Sequence, residues 1–68
     1  MPHFVEAVEE REGQWRVAVR WKREDPFELL EPTAARERAD LAERSGETEL
    51  ANELRSAAAE ADRKTRTR

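Results

Sequence analysis

No cysteine occurs in the chain, so disulfide staples and thiolate zinc sites are excluded. Tyrosine is absent too, and the single histidine, His3, stands beside the start of the sequence. A catalytic site needs several titratable groups converging in a pocket. With the commonest ones missing, the reading is a non-enzymatic protein with no cofactor, no metal and no small-molecule substrate. Glu9, Glu10 and Glu12 are the remaining candidates for a hard cation. Their spacing lacks the Asp/Asn–Gly pattern of a calcium loop, and they read instead as the solvated rim of a hairpin.

Charge of one sign is also lacking. Thirteen Lys and Arg stand against sixteen Asp and Glu, a net charge of −3, unlike the strongly basic balance of a typical nucleic-acid binder. There is no apolar run long enough to span a bilayer, and "MPHFVEAVEE" has neither the basic start nor the apolar core of a signal peptide. A cytoplasmic protein is therefore expected.

Large apolar residues are scarce in these 68 residues, with two Trp, two Phe and one Met. A domain this short buries only about 60% of the surface its unfolded chain exposes. Small domains compensate with disulfides, a metal or a partner chain. The first two are excluded, which leaves oligomerisation.

What is present is clear periodicity. "QWRVAVRWKRED" alternates Trp15, Val17, Val19 and Trp21 with Arg16, Ala18, Arg20 and Lys22, which puts the apolar row on one face of a strand and the cations on the other. Residues 3–11 form a second strand, and Glu12-Gly13 supplies the positive-φ position of a hairpin turn. Two registers are open. A two-residue turn sets Phe4 and Val8 opposite the tryptophan row, whereas a three-residue loop with a glycine bulge sets Val5 and Ala7 there. In either case apolar residues remain on the second face, where the stems of Arg16 and Arg20 can cover them.

"EDPFELLEPT" carries Pro26 and Pro32 around Phe27, Leu29 and Leu30. It reads as a packed loop or a short third strand, with packed, irregular or barely paired structure favoured. A helix is expected from about residues 32–34 to Ser45, striped by Ala35, Ala39 and Ala42 with Leu41 at the flank, and ended by Gly46 at C′. A second helix from about Glu47 to Arg63 turns Leu50, Leu54, Ala57, Ala58 and Ala61 to one side. The remaining "RKTRTR" has no apolar residue and reads as a frayed basic tail, residues 63–68, after one domain over residues 1–62. The fold class is α+β: an N-terminal antiparallel β-hairpin followed by a two-helix hairpin, ββαα.

From "LEPTAARERADLAERSGETELANELRSAAAEAD" the chain resembles small uncharacterised proteins of actinobacteria and their phages, in which a β-hairpin precedes an Ala-, Arg- and Glu-rich helical segment. That resemblance implies the same fold order and no particular activity. Gly46, Ala51 and Ala58 are spaced as in the turn of a tetratricopeptide helix pair, but one such unit cannot form a solenoid. The order of elements is similar to HicB-type antitoxins, without their glycine-rich strands.

Two functions are carried forward. The first is a protein-interaction module that works as a homodimer, with an interface at a hairpin edge and the leftover apolar residues Phe4, Val5 and Val8, and that can modulate another protein. The second is a weak nucleic-acid-binding or accessory regulatory protein that uses Arg16, Arg20 and Lys22, or Arg63, Lys64, Arg66 and Arg68 of the basic tail. Against it, strand alternation turns the tryptophans away from the cations, and acids outnumber bases in the N-terminal half.

Overall fold

The computed structural model describes residues 4–20, 22 and 24–66, without the side chain of Arg66. Five elements follow one another: β1 (Phe4–Arg11), β2 (Gln14–Arg20), β3 (Glu28–Leu30), α1 (Pro32–Arg44) and α2 (Thr48–Arg66). The α+β class and the hairpin-then-helices order are those expected from the sequence. Trp21, His3 and Arg68 lie outside the described residues, as do the outer limits expected for the two hairpin strands.

The hairpin takes the bulged register. Val5 pairs with Val19, Ala7 with Val17 and Glu9 with Trp15, and the register shifts between Glu9 and Arg11. Gly13 has φ 79°, a conformation that costs other L-residues about 1 kcal/mol or more. Its N–H donates to Glu9 Oε2 at 3.0 Å, so the turn ties itself to the strand before it. Because side chains alternate, Val5, Ala7, Trp15, Val17 and Val19 share the inner face, while Phe4, Val8, Arg16 and Arg20 share the outer one.

Residues 28–30 form the short third strand that the sequence left open, paired over three residues rather than irregular. Leu30 pairs antiparallel with Val17, Leu29 with Ala18 and Glu28 with Val19, giving the order β1-β2-β3. Pro26 and Pro32 lie outside this three-residue segment, so neither removes a donor from its ladder. Periodicity could not detect a strand so short. Leu30 is buried while Leu29 is exposed, as opposite faces require.

Pro32 opens α1 at its first turn, where a missing N–H costs nothing. The helix ends in a complete Schellman motif: Glu47 N–H donates to the Ala42 carbonyl at 2.8 Å and Gly46 N–H to that of Glu43 at 3.0 Å. Gly46 holds φ 84° at C′. The turn reverses the chain, and Ala35, Ala39 and Ala42 of α1 pack with Leu50, Ala51, Leu54, Ala57, Ala58 and Ala61 of α2. Alanine at these positions lets the helix backbones approach closely, and several of these side chains have no exposed surface at all.

Helix α2 lies against β1 and β2, and α1 packs mainly on α2. Val17, Val19 and Leu54 are the largest wholly buried side chains, so the core sits between β2 and α2. With both helices on the inner side, the molecule is only 14 Å through its thinnest axis, and among the described residues no layer lies over the outer face of the sheet.

The end of α2 departs from expectation. The helix continues to Arg66, and Thr65 Oγ1 accepts a hydrogen bond from the Trp15 backbone N–H at 3.1 Å. Lys64 Nζ sits 4.4 Å from the centroid of the Trp15 ring and 2.9 Å from Glu60 Oε2. The segment read as a frayed tail contributes a helical turn that clamps the start of β2, because its partner is a ring and a backbone amide rather than an apolar row.

Candidate functional site

The sheet's outer face is built from alternate residues of β1 and β2 and from Leu29 of β3. Register places them in rows: Phe4 beside Arg20, Ala18 between Glu6 and Leu29, Val8 beside Arg16. Phe27, just before β3, joins the first row, for the Arg20 guanidinium carbon lies 4.7 Å from the Phe27 ring centroid and 5.8 Å from that of Phe4. The two rings meet edge to face, 5.7 Å apart at 73°, within the favoured range for aromatic pairs.

This face is apolar where it should be wet. Phe4, Phe27 and Leu29 are 43%, 45% and 46% exposed, and Val8 is half-buried beside them. Ala18 is only 3% exposed although it faces outward, because its larger neighbours close over a methyl group. The rings are not loose. A guanidinium packed against both rings joins β1, β2 and the entry to β3 into one array, so little rotamer freedom remains to be lost when a partner docks.

Of the interface residues expected from sequence, Phe4 and Val8 lie on this face. Val5 does not: it points inward and packs against the core, which follows from the bulged register. Phe27 and Leu29 are the residues that sequence reasoning missed, since their placement depends on the third strand.

The basic residues do not converge. Arg16 and Arg20 are on the outer face, where Arg16 Nε meets Glu10 Oε1 at 3.1 Å, and Lys22 is exposed beyond the end of β2. Lys64 is on the opposite side of the sheet, over Trp15, and Arg63 is exposed on the same helix end. The side chain of Arg66 and all of Arg68 lie outside the described residues. Glu9 and Glu10 are engaged by the hairpin turn and by Arg16, and no group of His, Asp and Glu among the described residues is arranged to hold a metal ion.

Several other charges join elements. Arg55 reaches Asp40 at 2.9 Å and Glu43 at 2.6 Å, Arg36 reaches Asp62 at 3.3 Å, and Arg38 reaches Glu28 at 2.9 Å. Hydrogen bonds to Glu43 and then Asp40 raise the Arg55 pKa above its ordinary value. Among the described residues no helix is long and apolar enough to cross a membrane. No protein-family model matches the chain, and no curated protein or solved structure matches it either.

Proposed function

We propose that the protein is a non-enzymatic interaction module that self-associates as a homodimer through the outer face of its sheet. The observation that carries this reading is the array of Phe4, Phe27 and Leu29, each nearly half exposed, around Arg20 on a sheet face that no layer of the described residues covers. Exposed apolar patches rimmed by polar residues mark interaction sites. Aromatic residues and Arg are the types enriched at such sites. A second copy is the economical partner, because a short chain without disulfide or metal gains stability from assembly. Modulation of another protein would use the same dimer.

A three-stranded face is small, at or below about 1,200 Å² of total buried area, the lower end of specific interfaces. Assembly is therefore in the micromolar range or weaker. Sedimentation and thermal melts between about 1 and 500 µM test it: a mass moving from 7.9 kDa towards twice that value, with the melting temperature rising in parallel, is the expected result. A mass near 7.9 kDa and a constant melting temperature across the series would refute it.

The second reading, weak accessory binding of single-stranded nucleic acid, gains one observation. Phe4 and Phe27 lie on the same face as Arg16 and Arg20, whereas Trp15 does not. Stacking rings and cations on an open sheet are how single strands are held. Against it, Arg20 already occupies the rings, Glu10 occupies Arg16 and the net charge is −3. Binding of an oligonucleotide that weakens steeply with salt and is lost in Arg20→Ala would favour this reading.

A further inference from the structure

We infer that the second copy docks face to face with its strands crossed near a right angle, joined by two reciprocal ion pairs between Glu6 of one copy and Arg20 of the other. This rests on the self-association proposed above and specifies which residues meet. On the outer face Arg16 is held by Glu10, and Arg20 has aromatic rings as neighbours. Among the described residues Arg20 has no carboxylate partner and Glu6 has no cationic one. A face that leaves one acid and one base unmatched is complementary to itself if a two-fold axis brings them together.

Register limits how that can happen. Ala18 is the centre of the array, with Glu6 one strand to its side and Arg20 two residues along its own strand. In sheet geometry those offsets are about 4.8 Å and about 6.8 Å in perpendicular directions. Packed sheets adopt either nearly aligned or orthogonal strands. An axis over Ala18 parallel to the strands sets Arg20 on the partner's Arg20 and Glu6 on the partner's Leu29. An axis across the strands sets Arg20 on the partner's Arg16 and Glu6 on the partner's Glu6. Both aligned arrangements stack like charges.

A diagonal axis crosses the strands and exchanges the two directions. Glu6 then falls within about 2 Å, in projection, of the partner's Arg20, the difference between the two offsets and well within side-chain reach. The same operation lays Phe4 on the partner's Phe4 and Phe27 near the partner's Val8, so apolar groups meet apolar groups. The other diagonal directs Glu6 to the partner's Arg16, which Glu10 already holds, and carries Phe4 beyond the edge of the partner's sheet. One orthogonal arrangement satisfies both charge and apolar matching.

Charge reversal tests it. Glu6→Arg and Arg20→Glu each place like charges at both contacts, so each weakens self-association by about tenfold or more, read by sedimentation equilibrium. An equimolar mixture of the two variants recovers a dimer, because every contact again joins opposite charges. The doubly reversed chain, Glu6→Arg with Arg20→Glu, recovers a homodimer and serves as the check if Arg20→Glu alone unfolds; circular dichroism establishes folding for each. A wild-type monomer at all concentrations overturns the self-association reading itself. A wild-type dimer unaffected by the single reversals, or folded variants that stay monomeric both when mixed and when combined in one chain, overturns the crossed ion-paired arrangement alone.

Discussion

Loss of the last-turn clamp on the hairpin should be measurable by two shape-conserving substitutions. Thr65→Val removes the acceptor for the Trp15 N–H and costs about 1 kcal/mol, the net worth of one hydrogen bond. Lys64→Met keeps the stem but removes the cation over the Trp15 ring, about 0.5–1 kcal/mol at a partly exposed site. The double variant should lose about 1.5–2 kcal/mol, against a total of about 3–10 kcal/mol expected for a chain of this length. At about 4–8 °C per kcal/mol for a small domain, its melting temperature falls by roughly 6–16 °C, followed by circular dichroism at one fixed concentration. The Lys64 part is pH-dependent. Its hydrogen bond lowers the Glu60 pKa below the ordinary carboxylate value, and a depressed carboxylate stabilises the fold above its unfolded pKa and loses that contribution as pH falls through the folded one. The gap between wild type and Lys64→Met should therefore narrow on acidification below the carboxylate range, leaving the ring contact. A double variant melting within about 2 °C of wild type would refute the clamp and restore the picture of a frayed end.

Val17→Asp puts an unpaired carboxylate at a position with no exposed surface, costs several kcal/mol, and should abolish the cooperative melt. Val8→Lys should keep the fold and weaken self-association, whereas Val5→Lys should destabilise the monomer, since the two residues face opposite sides of β1; equal effects on the melting temperature would contradict the bulged register. Gly46→Ala should cost about 1 kcal/mol from the positive φ, with no steric part because nothing lies within 4 Å of the added methyl group; an unchanged denaturation midpoint would count against the Schellman turn.

The sequence revealed those parts of the fold that depend on local periodicity. The Val17–Val19 row, the alanine stripe from Ala35 to Ala42 and the Gly46 stop follow from spacing alone, and the structure has them at those positions. Three features depend on contacts distant in sequence and were hidden. The bulge that turns Val5 inward is a choice between two turns of similar cost. The pairing of β3 needs β2 as a template, since three residues carry no period. The clamp of Lys64 and Thr65 on Trp15 joins residues about fifty apart with no apolar signal. The candidate site suffers most from this, because half of its apolar surface, Phe27 and Leu29, is brought to the face by the very strand that periodicity could not show.

The high charge content takes on meaning once each partner is known. A helix pair faced with alanine buries little area per residue, and at about 25 cal/mol per Å² little area means little stabilisation. Cross-element ion pairs of Arg36 with Asp62, and of Arg55 with Asp40 and Glu43, span the two helices where larger apolar residues would otherwise be needed. Each such exposed pair is worth under about 1 kcal/mol, but they also fix the relative rotation of helices whose small side chains would let them slide. Arg38 extends the same lacing from α1 to β3 through Glu28, holding the short strand whose other face presents Leu29. Of these pairs, Arg38 with Glu28 ties a helix to the sheet, and the others tie the two helices to each other. On the outer face, Glu6 and Arg20 are the opposite charges left without ionic partners among the described residues, and they flank the exposed rings. A surface used only for solubility would not need a guanidinium packed against two phenylalanine rings that also meet each other. That residual charge, set among ordered aromatic side chains, is the feature that distinguishes this face from the rest of a heavily charged exterior.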